Sequence, residues 1–304
     1  MRDAFIAGLV ELARKDERIA LLTGDLGFGV VEKFSSEFPD RFWNCGVAEQ
    51  SMMSIAAGLA KSGMRPFVYS IANFPTFRCL EQIRNDVCYH DLPVTIVSVG
   101  GGLGYGTLGY THHGIEDIAA LRALPNLAIY SPADPIETKE VLNQIHNENK
   151  PAYLRLGKNG EPIIEERTKK VLTGRIYEIE SGDQVSIIAC GSIVSNCIQA
   201  SKELKEQVRI QVISVPKIQP LEVNFLQSTI SSKKILIVEE HVRSGGFHAV
   251  IAQEFINEKN FEIISHLYVE SKTNYITGSQ EYLRKVTHLD VESIKKRCLE
   301  LSCI

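Results

Sequence analysis

Short runs of aliphatic and β-branched residues alternate with helical patterns along this chain, and they do so twice. Residues 19–23 (IALLT), 94–99 (VTIVSV) and 127–130 (LAIY) read as strands, with helical spacing over 78–89 and 115–124 between them. Strands that recur with helices between them predict a parallel sheet wrapped by helices. Residues 161–184 (EPIIEERTKKVLTGRIYEIESGDQ) are charged and aperiodic, which interrupts the rhythm. It then resumes with strands at 185–189, 210–215, 235–238 and 263–269 and helices at 194–204 and 247–257. The expected fold class is α/β, as two consecutive domains, each a mainly parallel sheet flanked by helices. The domains are placed at 1–165 and 180–304, with a linker at 166–179.

The 304 residues suffice for two such domains. A net charge of -4 gives no electrostatic ground for a nucleic-acid or anionic-membrane partner. The N-terminal segment MRDAFIAGLVELARKDERIA is amphipathic and lacks an uninterrupted apolar signal core. No apolar run approaches the roughly 18 residues of a membrane span. The seven cysteines are scattered, odd in number and without a C-x-x-C pair. That pattern suits reduced thiols in the cytoplasm rather than disulfides or a structural zinc site.

Several segments carry residues suited to chemistry. In NCGVAEQSMMSIAAGLA (44–60), Glu49 is the one acid in a small and apolar run, and a buried acid is costly unless paired. It is either a solvated helix end or a functional carboxylate. Met52, Ile55, Ala56 and Leu59 are the expected packing stripe of that helix. Asp25, in TGDLGFG, sits where a strand gives way to glycine-rich chain, the edge at which parallel sheets bind ligands; a turn aspartate is the plain alternative. GGGLGYG (100–106) follows a strand but matches no phosphate-loop pattern, so a loop lining a pocket is as good a reading. Thr111, His112 and His113 precede a helical stripe, where one imidazole is well placed as acid, base or donor. In ANFPTF, Phe74 and Phe77 are either a core pair or a stacking platform for a flat ring. In PAYLRLGKNGEP, Arg155 and Lys158 are either surface charge or an anion site.

In order, GVAEQSMMSIAAGLA, YSIANFPTF, the glycine loop, YTHHGIEDIAALRALPNLAIYSPAD and PAYLRLGKNG resemble the pyrimidine-binding domain of the transketolase family. SVPKIQPLE and ILIVEEHVRSGGFHAVIAQEF resemble that family's C-terminal domain. The resemblance covers nearly the whole chain. It implies thiamine diphosphate as cofactor, with Mg2+ or Ca2+ ligated elsewhere, because the family's Gly-Asp-Gly metal motif is missing; the nearest sequence is Gly24-Asp25-Leu26. The chain is therefore expected to be the C-terminal subunit of a split transketolase. Its partner is an N-terminal subunit holding the diphosphate, in a heterotetramer with two copies of each chain.

The resemblance also implies roles. Glu49 matches the glutamate that bonds the pyrimidine nitrogen opposite the amino group, favouring the imino tautomer that takes the thiazolium proton. Phe74 and Phe77 match the positions flanking the ring, and Ile71 replaces a frequent third aromatic. Asp25 and Leu26 line the cofactor end. His112 matches the histidine that contacts substrate near the reacting carbons. Lys158 lies near a phosphate-binding arginine, with Arg155 its neighbour. Two positions depart: Leu108 stands where sugar-using members carry an aspartate, and Gly100 where a phosphate-binding histidine is expected. The implied reaction is transfer of a two-carbon ketol unit from a ketose, such as a ketose phosphate, to an aldose. The alternatives are the β subunit of a 2-oxo acid dehydrogenase, a deoxyxylulose-phosphate-synthase-like carboligase, and a non-catalytic scaffold half.

Overall fold

A computed structural model describes residues 1–165, 171–172, 175–256 and 263–304. Within them lie β1 (Ile19–Thr23), β2 (Phe42–Asn44), β3 (Arg65–Ile71), β4 (Thr95–Val99), β5 (Ala128–Tyr130) and β6 (Ala152–Leu156). These six are parallel and run in the order β5-β6-β4-β3-β1-β2. Their carboxyl ends therefore lie along one edge of the sheet. The second sheet comprises β7 (Val171–Leu172), β8 (Ile176–Glu180), β9 (Val185–Ala189), β10 (Ile210–Ser214), β12 (Lys234–Val242) and β13 (Ile263–Val269). Its order is β13-β12-β9-β10-β8-β7, parallel except at β8 and β7.

Three features depart from the sequence-based expectation. Residues 176–179, assigned to the linker for their charge, form most of β8, whose first four residues are buried. Antiparallel pairing with β10 anchors this strand, which the charge pattern hid. The part of the linker at 166–170 and 173–174 lies outside the described residues. Second, β11 (Lys217–Gln219) comes from the second half of the chain but pairs antiparallel with β5 of the first sheet. The two halves are thus stitched by backbone hydrogen bonds. Third, the helix expected over 78–89 is broken into short turns and a π-helical stretch, Ile83–Cys88. Such stretches are rare and frequent near functional sites.

The helix Glu49–Lys61 is also turned relative to the expected stripe. Its buried residues are Glu49, Met52, Met53, Ala56, Ala57 and Ala60, while Ile55 is 46% exposed. Taking about 100° per residue, the buried face is rotated by roughly 80° from the expected one. The rotation carries Glu49 into the packed face rather than leaving it at a solvated cap.

Candidate functional site

The carboxyl edge of the first sheet holds most of the residues singled out by sequence. Thr23 ends β1, and Asp25 follows in a left-handed conformation at φ 56°. Asn44, ending β2, locks that turn. Its amide nitrogen donates to Asp25 Oδ1 at 3.0 Å, and its oxygen accepts from the N–H groups of Asp25 and Gly46, also at 3.0 Å. Leu26 is fixed through its carbonyl, which accepts from the Thr23 hydroxyl at 2.9 Å. Asp25 is exposed and Leu26 partly buried.

Glu49 opens the next helix and is 4% exposed. Its neighbour at the cap, Ala48, supplies no side-chain bond. The helix N-terminus favours an anion there, and Arg78 supplies the opposite charge: Nη1 donates to Glu49 Oε1 at 2.9 Å. The same guanidinium lies over the Phe74 ring, 4.4 Å from its centroid. Residues 74 and 78 are one helical turn apart, which brings their side chains together. Phe74 in turn meets the His112 ring edge-on at 5.2 Å. Glu49, Arg78, Phe74 and His112 therefore form one continuous row. Phe77, one turn along from Phe74, is 42% exposed. Nearby Cys79 is buried and its thiol is pushed up to about 12, so it is no thiolate nucleophile.

His112 is held by Thr111, whose hydroxyl is 2.9 Å from Nδ1. The Asn73 amide donates to the Thr111 carbonyl at 2.5 Å, tying the Phe74 turn to the histidine loop. His113 points the other way. It is 1% exposed, and neither ring nitrogen makes a well-formed hydrogen bond among the described residues, the Gly106 backbone being a weak partner only. Burial outweighs the Gly106 backbone and the Glu240 charge, which both favour the imidazolium, and holds its pKa below the ordinary histidine value. Adjacent histidines thus divide into one at the row and one in the interior.

Arg155 requires a correction. Read from the sequence as either surface charge or an anion site, it is neither exposed nor free: its side chain is 5% exposed and occupied within the protein. Nε donates to Asp117 Oδ2 at 2.7 Å, and Nη2 donates to the carbonyls of Gly114 (2.6 Å) and Glu240 (2.9 Å). Tyr153 adds a 2.5 Å bond to the same Asp117 oxygen. The interior position follows from register: Arg155 sits opposite Ser98 on the central strand β4, one residue past the end of the β5 pairing at Leu154. Lys158 lies beyond the strand end, exposed, with Nζ 5.0 Å from the Tyr105 ring centroid. The same ring explains Gly100. At φ +79°, a Cβ there would fall 2.1 Å from Tyr105 Cδ2, so no side chain fits while the tyrosine is in place. Leu108 is 53% exposed near the histidine loop.

The second half of the chain buttresses this loop. Val242 N–H donates to the Ile115 carbonyl at 2.9 Å, and Gly278 N–H to Gly106 at 3.2 Å. Gly102 packs so closely on Glu240 that a Cβ would come within 2.6 Å of its Cβ. Arg78, Asn44 and Asn73 escaped the sequence reading. Only Arg78 had a usable signal, its one-turn spacing from Phe74.

The row offers a buried acceptor for an N–H donor, an aromatic face beside it and an imidazole at its end. Comparison with known proteins agrees in extent. Residues 1–161 match the family model described as transketolase, pyrimidine binding domain, and residues 174–294 the one described as transketolase, C-terminal domain. One of the subunits of the apulose-4-phosphate transketolase of Phocaeicola vulgatus is 33% identical over 98% of this chain and 96% of its own length. The 1-deoxy-D-xylulose-5-phosphate synthase of Clostridium perfringens is 31% identical over 96% of this chain, which spans 48% of that protein. A solved structure described as "Split gene transketolase, inactive beta4 tetramer" superposes with a TM-score of 0.86 at 28% identity, covering 99% of this chain and 97% of that one.

Proposed function

This chain belongs to the transketolase family as its C-terminal half, and we propose that it is the C-terminal subunit of a split transketolase that moves a two-carbon ketol unit from a ketose to an aldose. The observation that carries the reading of the site is the buried Glu49 carboxylate, which Arg78 joins to the Phe74 ring, itself in edge contact with His112. These residues fit the aminopyrimidine half of thiamine diphosphate, because a flat cation, the Arg78 guanidinium, already makes both contacts that such a ring requires.

When bound, the cofactor supplies the carbon nucleophile of ketol transfer. The residues of this chain bind and orient. Glu49 accepts a hydrogen bond from the ring and sets its tautomer. Phe74 and Phe77 flank the ring, and Asp25 and Leu26 line its end of the pocket. His112 contacts the substrate near the reacting carbons, and Lys158, in place of Arg155, meets an anionic tail. The diphosphate and its Mg2+ or Ca2+ are assigned to a partner chain, since the family's Gly-Asp-Gly metal motif is missing from this sequence. Exposed apolar residues on the site-forming segments, Phe28 (75%), Val47 (75%) and Phe77 (42%), support a partner docking there. The assembly is read as two of each chain, working in the cytoplasm; the seven free cysteines suit that compartment.

Coverage favours a split transketolase over a synthase-like carboligase, because the chain spans the Phocaeicola relative almost end to end. The test is co-expression with the product of the adjacent gene, followed by a thiamine-dependent screen of ketose donors. The screen includes apulose 4-phosphate, named for the Phocaeicola relative. Glu49→Gln in the active pair is expected to lower turnover by about 10²-fold or more with the melting curve unchanged. Near-normal turnover would remove Glu49 from the mechanism.

A further inference from the structure

The guanidinium of Arg78 satisfies the requirements that the proposed ring site sets for its ligand. It is planar and cationic, lies 4.4 Å over Phe74, and donates to Glu49 at 2.9 Å. Its donor atom and its stacked face come from one side chain, so both contacts are made or broken together. The side chain is 50% exposed whereas Glu49 is 5% exposed. The arginine can therefore swing to solvent, and the carboxylate cannot. Together with residues 47–51, Arg78 lines the open groove in front of Glu49.

We propose that Arg78 is an internal stand-in for the cofactor ring: it holds Glu49 paired and Phe74 covered until the ring displaces it. This inference rests on the reading of Glu49 and Phe74 as the aminopyrimidine site. The physical logic has two parts. A buried carboxylate left without a partner is costly, so a subunit made apart from its partner gains by carrying its own counter-ion. The same contact taxes the cofactor, whose apparent affinity falls by the fraction of chains in which the arginine has moved aside. The tax is modest, because a half-exposed ion pair and cation–π contact are each weak. Arg78 thus lets the site fold in advance while favouring occupation only when the diphosphate is also held.

The experiment is calorimetric titration of the reconstituted two-chain complex with thiamine diphosphate and Mg2+. Arg78→Gln is expected to bind about threefold to tenfold more tightly than wild type. Arg78→Lys, which keeps the charge but not the plane, is expected to fall between them. In wild type, the Arg78 Nε–H signal in a 15N-labelled complex is expected to shift and exchange faster with water once the cofactor is added. Unchanged or weaker binding by Arg78→Gln, or an Arg78 signal indifferent to the cofactor, overturns the stand-in. A wild-type complex that binds no thiamine diphosphate overturns the site reading itself, and the stand-in with it.

Discussion

At the scale of single residues, the two adjacent histidines show how little a side chain's identity says without its surroundings. His112 lies at the proposed reacting end and His113 in the interior, where its nitrogens make no well-formed hydrogen bond. Burial disfavours the His113 imidazolium, so the folded chain takes up that proton less readily than the unfolded chain, whose histidine titrates near 6.5. Stability is therefore complete above about pH 7 and declines as the pH falls below 6.5 toward the lowered folded value. His248, lowered chiefly by burial, acts in the same direction. His113→Leu should flatten the fall in urea midpoint between pH 7 and pH 5, leaving the share due to His248. It should also leave stability at neutral pH unchanged or raised by up to about 1 kcal/mol, since it removes buried polar atoms that have only the Gly106 backbone as a weak partner. In the active pair, His112→Ala should lower kcat/KM more than His113→Leu. An unaltered pH slope, or the reverse order of activities, would show that the imidazoles were assigned to the wrong places.

At the scale of elements, the interior strand β6 turns a cation into a brace. Arg155 links Asp117 and Gly114 of the histidine loop to Glu240 of the second domain. Arg155→Met leaves the fully buried Asp117 carboxylate without its cation, at a cost of about 3–5 kcal/mol. A large drop in urea midpoint is expected, whereas Lys158→Met, at the exposed strand end, should leave the midpoint alone and raise KM for phosphorylated substrates. If the two variants exchanged these effects, the anion site would belong to Arg155 after all. Lys158, two residues past the strand end, is exposed where Arg155 is taken up as a brace. The helix of Glu49 makes the same point. Ile55 and Leu59 suggested one face, but the sheet buries another, on which small Ala56, Ala57 and Ala60 permit close packing.

At the scale of the whole molecule, the second domain does more than accompany the first. Strand β11 completes the first sheet, and residues 240–242 and 278 hold the loop that presents His112. The proposed site is nonetheless half a site, with contacts for a ring and none assigned for a diphosphate. The isolated chain should therefore bind thiamine diphosphate at least about a hundredfold more weakly than the two-chain complex, the equivalent of losing one or two charge-assisted hydrogen bonds. Calorimetry on chain and complex side by side measures this. Equal affinity for the isolated chain would refute the division of the site between two polypeptides.

What the sequence determined by itself was the architecture and the family. Aliphatic runs such as IALLT and VSIIA became β1 and β9 as read, because a buried parallel strand requires little beyond continuous apolar side chains. The ordered motifs around Glu49, Phe74 and His112 placed the chain in its family, because their order along the chain is itself local information. Tertiary structure decided the rest. It chose which face of the Glu49 helix is buried, which histidine faces the row and which cation is free, and it found Arg78 as the carboxylate's partner. Each of these depends on residues far apart in the chain meeting across a sheet edge or a domain boundary. Pairing of that kind is a matter of register and rotation, and neither is written in the spacing of any one segment.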